Sequence, residues 1–526
     1  MSVLRRGNII CMKKFILVTA LLAPCAYANA QHYMGVATGS WSGMSSLYLN
    51  PANIADNRDR LVIDLLSINA GVDNDLGKLN TVGGIKRFIN GNSTNINDVF
   101  TFSDKQSFSL VAPSAEVRGP GVMVAINHRH SIGISTRLRA INQFNNFSTS
   151  LYRTVTDFDY TTGTNIDLVS KNFNWTGHAW GEAALTYGAV LIEKGHHELK
   201  AGATLRYLNG IGYIGLKGNN LDLHYAPGQD SIYANNTEVL YSSNLAGSTK
   251  SLSSGIGSNS IFDQLVNSKS GNGFGADFGV VYDYIENPEA TRYEMDGKTE
   301  SDQTVNRYKF RLAASVTDLG SILYNTNNNF TVDIKGNGYL TGKGLSDNVK
   351  NYDDLRAYAT RQGFSVDTGK QSNRLYMPAT LVLTADYHLK RNVYINATYF
   401  NNMVNRGYFG NSYYNQLTVT PRYDTRRFMV AVPLTYSMLA NDFKMGIGLR
   451  AYGFYVGSDD MLAFVSHQHG MNFYVGGFVP FHKKKIRDRD GDHVSDKRDK
   501  CPDDGGPWRN HGCPEDEVDD KKDRDN

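Results

Sequence analysis

Apolar and polar side chains alternate with period two through the middle of the chain. Over residues 274–284, Phe274, Ala276, Phe278, Val280, Tyr282 and Tyr284 fall on one face, and Gly275, Asp277, Gly279, Val281 and Asp283 on the other. Successive strand residues point to opposite sides of a sheet, so this pattern predicts a strand with one apolar face. Residues 308–317 repeat it, with Tyr308, Phe310, Leu312, Ala314 and Val316 set against Lys309, Arg311, Ala313, Ser315 and Thr317. Residues 199–208 and 443–451 do the same and place Lys200, Arg206, Lys444 and Arg450 on the polar face. A soluble β-sandwich also alternates. Segments of about ten residues, apolar on one side and charged or glycine on the other, mark the wall of a transmembrane barrel. Apolar faces ending in Tyr or Phe suit the aromatic girdles at a membrane surface.

The connections between these segments are unequal. Short turns occur at Asn127–His130, Glu193–His197, His388–Arg391 and Asp424–Arg426, and long Asn/Gly/Ser-rich stretches at about 145–180, 210–272 and 319–377. Outer-membrane barrels pair short periplasmic turns with long external loops. Strands are legible at 59–71, 107–127, 131–144, 181–193, 198–210, 273–284, 307–318, 379–388, 392–402, 414–424, 427–437, 442–456 and 471–481. That number is odd, whereas single-chain bacterial barrels have even numbers. Met461–His467, after the Gly457-Ser458-Asp459-Asp460 turn, is the natural missing strand. The expectation is an all-β fold: a roughly 14-stranded antiparallel transmembrane β-barrel over 59–481. Its inner face should be basic in places, at Lys200, Arg206, Lys309, Arg311, Lys444 and Arg450.

Composition agrees with this. Tyr (31), Phe (24) and Gly (51) are abundant and Pro is scarce at 13, which suits β structure. A net charge of +3 is too small to imply nucleic acid. No later segment approaches the roughly twenty apolar residues of a membrane helix. Lys13 and Lys14, the apolar run Phe15–Ala23 and the Ala28-Asn29-Ala30 cleavage site predict a secretory signal over residues 1–30. Its removal takes Cys11 and Cys25 and leaves Cys501 and Cys513, an even pair that predicts a disulfide in an oxidising compartment. There is no G-x-S-x-G, H-E-x-x-H or Walker motif, so no enzyme is expected. His128, His130, His196 and His197 fall in short turns and read as solvated.

Beyond the last strand, residues 482–526 change character. Asp488, Asp490, Asp492, Asp496 and Asp499 stand at positions 1, 3, 5, 9 and 12 of one loop, with the Val494 carbonyl available at position 7. Alternating oxygen ligands at that spacing suit Ca²⁺. Position 6, where such a loop favours Gly, is His493, and a Gly lies two residues earlier at Gly491. This stretch resembles a thrombospondin type 3 repeat, a module that also links barrels to OmpA-like peptidoglycan-binding domains. The charged residues Glu515–Asn526 are too few for such a domain, so peptidoglycan binding is not carried over.

Residues 31–58 precede the first strand and do not alternate. Asn50-Pro51-Ala52, after the small-residue run from Gly43, resembles the N-terminal hatch of the long-chain fatty-acid outer-membrane transporter family. The stretches from Gly119 and Gly273, and Asp318-Leu319-Gly320, are similar to the same superfamily. Its relatives include barrels tied to type IX secretion and envelope barrels known only as a domain of unknown function. The resemblance implies a plug that blocks the lumen, with Asn50, Pro51 and Ala52 as its turn, and a lateral gap in the wall. It implies passage of small hydrophobic molecules across the outer membrane. The alternative is a scaffold barrel of a secretion or motility machine, its periplasmic tail docking envelope secretion or peptidoglycan-associated proteins. Outer-membrane lipids are expected partners on either reading.

Overall fold

The computed structural model describes residues 33–514 other than 56, 80–99, 157–165, 227–230, 245–270, 326–328, 350–351, 370, 406–407 and 465–467. The alternating segments pair edge to edge in chain order as β1 (Asp59–Asn74), β2 (Ser107–Ala125), β3 (His130–Ser148), β4 (Ile166–Lys194), β5 (His197–Ala226), β6 (Gly271–Tyr284) and β7 (Phe310–Tyr324). They continue as β8 (Thr380–Lys390), β9 (Val393–Asn402) and β10 (Gln416–Asp424). Phe428–Ala431 and Leu434–Ser437 make β11, interrupted at Pro433, which has no N–H for the ladder. Asp442–Met445 and Ile447–Ala451 make β12; Phe454–Ser458 is β13 and Gly470–His482 is β14. β1 pairs with β14 from Asp59 opposite His482 to Asp73 opposite Gly470, which closes a 14-strand barrel. Closure leaves no free edge.

Burial is inverted relative to a water-soluble fold. Phe274 is 76% exposed, Phe443 68% and Leu205 64%, while Lys200, Arg206 and Asp277 on the alternate positions are buried. An apolar outer band around a polar interior is the arrangement lipid requires. The chain is a transmembrane β-barrel.

The strand number agrees with the sequence, but the missing strand lies elsewhere. Met461–Phe464 forms a 3₁₀ turn, and 465–467 lie outside the described residues. The extra strand comes from dividing 442–456: Ala451 pairs with Phe454 across a two-residue turn at Tyr452–Gly453. Tyr452 takes φ 54, a left-handed conformation that a bulky residue rarely adopts, so the residue type gave no turn signal.

The stretches expected as loops at 166–180 and 211–226 are strand. β4 and β5 run for 29 and 30 residues. Beyond the bilayer both faces meet water, so the apolar alternation fades while the backbone ladder continues. Ser231–Ser243, Phe330–Thr341 and Ser365–Gly369 extend this sheet at the long-loop end. All four short turns expected from the sequence, the Arg292–Met295/Lys298–Ser301 hairpin and the tail lie at the opposite end. Residues 33–58 enter the lumen as a turn of helix (Met34–Ala37) and two 3₁₀ turns, Gly43–Tyr48 and Pro51–Ile54.

Candidate functional site: a plugged, charge-belted lumen

The plug is seated on glycines of the wall. The Asn50 Oδ1 accepts the Ala52 N–H at 2.9 Å and caps the Pro51–Ile54 turn. Its Nδ2 donates to the carbonyls of Val280 on β6 and Ala314 on β7, both at 3.1 Å. Such an approach needs bare backbone opposite. A Cβ at Gly202 would stand 2.5 Å from the Ala52 nitrogen, and one at Gly279 would collide with the Asn50 side chain. The structure thus brings Asn50, Pro51 and Ala52 together against β5, β6 and β7. The other end of the plug is held by carboxylates. Met34 and Gly35 N–H groups donate to Asp459 at 3.1 Å, and the Ser40 N–H to Asp424 at 2.6 Å. Residues 33–55 contain no Asp, Glu, Lys, Arg or His, so the plug is uncharged and every ionic group around it belongs to the wall. Between plug and wall, beside Arg58, Lys200, Arg311 and Asp386, remains a cavity of about 70 Å³, room for a few waters.

A neutral belt of charge crosses the lumen next to the plug. Glu182 accepts from Arg137 at 2.8 Å, Arg206 at 2.9 Å and Arg139 at 3.3 Å, and from the Trp180 indole N–H at 2.7 Å. Asp318 accepts from Arg137 at 2.7 Å and Arg139 at 3.0 Å. Arg206 also pairs with Asp277, and Arg118 with Glu116. Arg118 lies 4.0 Å over the rings of both Tyr33 and Tyr48, which joins belt to plug. Asp318 reaches in because β7 bulges there: its φ is 56, and its N–H donates to Asp277 at 2.7 Å.

The expectation of a basic lumen is corrected by these pairings. Lys200 and Arg311 share Asp283 at 2.8 and 2.6 Å, Lys444 pairs with Asp73 at 2.8 Å, and Arg450 with Asp424 at 3.1 Å. Lys309 reaches Glu286 at 3.5 Å on the exposed rim. An unpaired buried charge is too costly to keep. The partners were hidden because each belongs to a different strand, and alternation says nothing of which residues face each other.

Beyond the belt, towards the long-loop end, the inner wall turns aromatic. Phe108, Phe147, Phe173 and Trp175 form a buried cluster, with Phe144 stacked on Trp175 at 5.5 Å. A second cluster gathers Trp180, Tyr213, Tyr324, Phe409 and Tyr414. His178 stacks on Trp180 at 4.5 Å and bonds the Tyr324 hydroxyl at 2.9 Å. The segment around Ser412 folds inward, its N–H donating to Gln143 at 2.8 Å.

The tail forms a second candidate site. Asp488, Asp490 and Asp492 bring carboxylate oxygens within 4.8 Å of one another. Asp496 is turned to Arg487 at 3.1 Å, and Asp499 accepts the Cys501 N–H at 2.7 Å. The Val494 side chain is buried and its N–H donates to Asp492 at 2.8 Å. His493 adopts φ 68, so the chain makes the sharp turn at position 6 without glycine. Cys501 and Cys513 are disulfide-bonded. Sequence reasoning missed the dock for this loop. The Asp296 N–H donates to the His493 carbonyl at 2.8 Å, and its carboxylate accepts the Ser495 N–H and hydroxyl at 2.8 and 3.0 Å. Gly297 lies under the Trp508 ring.

Comparison with known proteins places the whole plug-turn-to-β13 unit in one family. The match spans residues 51–459, from the Pro51 turn to Asp459, the plug's carboxylate anchor. The chain belongs to DUF5723, a family of unknown function. No curated protein matches it. Among solved structures it is similar to the Ralstonia pickettii toluene transporter TbuX, with 8% identity over 84% of this chain and 95% of that one, at a TM-score of 0.38. A mutant of the TodX monoaromatic hydrocarbon channel gives 9% identity over 84% and 95%, at 0.41. The Escherichia coli outer-membrane protease OmpT gives 9% over 80% and 95%, at 0.21. These mix transporters with an enzyme, and the fold is read from the strands themselves.

Proposed function

We propose that this barrel passes small hydrophobic molecules across the outer membrane, with the short-turn end and tail in the periplasm. One observation carries the reading: the aromatic lining around Phe108, Phe144, Phe147, Phe173 and Trp175 faces inward at the long-loop end, where a water channel has polar walls. The charge belt beneath bars an apolar solute from descending along the axis, because desolvating those groups is costly. Exit is therefore sideways. β2, which contributes Phe108, Leu110 and Val111 to the lining, has its ladder to β3 interrupted at 108/110, 111/114 and 118/121. The test is uptake of a labelled monoaromatic hydrocarbon by cells with and without the protein. Equal uptake by both, with no quenching of tryptophan fluorescence on adding the hydrocarbon to purified protein, excludes this function.

The tail loop is part of the proposal. Asp488, Asp490 and Asp492, with the Val494 carbonyl, Asp496 and Asp499, would hold Ca²⁺, and the ion would replace the mutual repulsion of the carboxylates with coordination. Calorimetric titration of the full-length protein with Ca²⁺ checks this, and no heat above background rules the ion out. A second reading, a scaffold barrel with the tail docking envelope secretion or peptidoglycan-associated proteins, is favoured by the tail's fixed seat on Asp296. It expects Asp296→Ala to abolish co-purification of envelope proteins while leaving hydrocarbon uptake unchanged.

A further inference from the structure

A cleft opens on the outer side of the barrel at the short-turn rim. It is lined by Arg60 and Phe481 from the paired strands β1 and β14, by His128 from the β2–β3 turn, by Lys484 and by Tyr293 of the overhanging hairpin. Its volume is about 510 Å³. The position is defined by the wall. Phe481 is 49% exposed and continues the lipid-facing row of Val479 and Val475, and Ile63 and Ile126 are exposed beside Arg60. One edge of the cleft is thus bilayer-facing hydrocarbon and the other is cationic.

The charges there are not all spoken for. Lys485 is paired with Asp302 at 2.9 Å, and Lys483 donates to Gln303 at 2.7 Å. Among the described residues Arg60 and Lys484 have no carboxylate partner. Glu300 is the remaining acid of the lining, and it is outnumbered. Arg presents a planar fork matched to phosphate oxygens, and Lys a compact point charge. The outward-facing Arg60 meets no lumen and no plug.

We propose that this cleft binds the phosphate headgroup of an anionic phospholipid, with one acyl chain against Phe481 and Val479. A juxtamembrane cluster of Arg and Lys gains its binding from such headgroups at short range. The site would tie the hairpin and the start of the tail to the membrane surface.

The test uses the full-length protein in mild detergent. Native mass spectrometry would count retained phosphatidylglycerol and phosphatidylcholine for the wild type and for Arg60→Gln/Lys484→Gln. The expected result is one phosphatidylglycerol held in preference to phosphatidylcholine, and retention reduced about tenfold in the double variant. Both side chains are exposed, so unchanged heat-modifiable migration of the variant will show that the barrel is intact. Equal retention of the two lipids, or undiminished retention by an intact double variant, overturns the proposal. Displacement of the lipid by inorganic phosphate at millimolar concentration would also overturn it, by showing a free-anion site.

Discussion

Gly202 and His493 carry opposite lessons at the scale of single residues. Gly202 lies on the polar face of a strand, where the sequence shows only an absent side chain. The structure shows what the absence admits, the plug backbone at Pro51 and Ala52. Gly202→Val fills that seat with β-branched bulk while keeping strand propensity. The expected outcome is a folded barrel whose plug is displaced, seen as new protease cleavage within residues 40–58 with heat-modifiable migration retained. His493 holds a left-handed backbone at φ 68, which costs a non-glycine residue about 1–2 kcal/mol. His493→Gly removes that cost. It should tighten Ca²⁺ binding about fivefold or more in a titration of the full-length protein, since about 1.4 kcal/mol is tenfold.

Elements come next. Each strand's inward face was legible as polar, because lipid on the other side demands alternation over β5, β6, β7 and β12. Which polar groups meet was not, because pairing depends on register across strands. Glu182 on β4 meets arginines from β3 and β5, and none of this has a sequence spacing. Glu182→Gln leaves Arg137, Arg139 and Arg206 under-compensated in a buried setting, which typically costs about 3–5 kcal/mol. The temperature at which unboiled protein shifts to the unfolded band should fall clearly. Lys309→Gln removes a rim pair that is partly exposed on both sides, so its effect should stay within about 1 kcal/mol. Strand ends were the least legible feature. Tyr452 turns the chain without a turn-forming side chain, and β4 and β5 outrun the membrane where alternation stops reporting.

At the scale of the whole molecule, the decisive event is closure. β1 and β14 are over four hundred residues apart in sequence yet share a ladder from Asp59–His482 to Asp73–Gly470. Removing residues 469–526 deletes one side of that seam and exposes two strand edges in lipid, where unpaired backbone groups are very costly. The truncated chain should lose the faster-migrating unboiled form that the full-length protein is expected to show. The plug adds a second long-range tie, from Met34 and Gly35 to Asp459.

Sequence alone determined the all-β class, the transmembrane wall, the number and nearly all the places of its strands, the plug turn and the cysteine pair. Those features follow from local rules: side-chain direction has period two, and lipid and lumen select opposite chemistry at each step. Tertiary structure alone decided the neutral belt, the glycine seats, the Tyr452–Gly453 turn, the tail's dock on Asp296 and the cationic cleft at Arg60. Each of these depends on residues far apart in the chain meeting at hydrogen-bond or van der Waals range, and only the closed sheet sets those meetings.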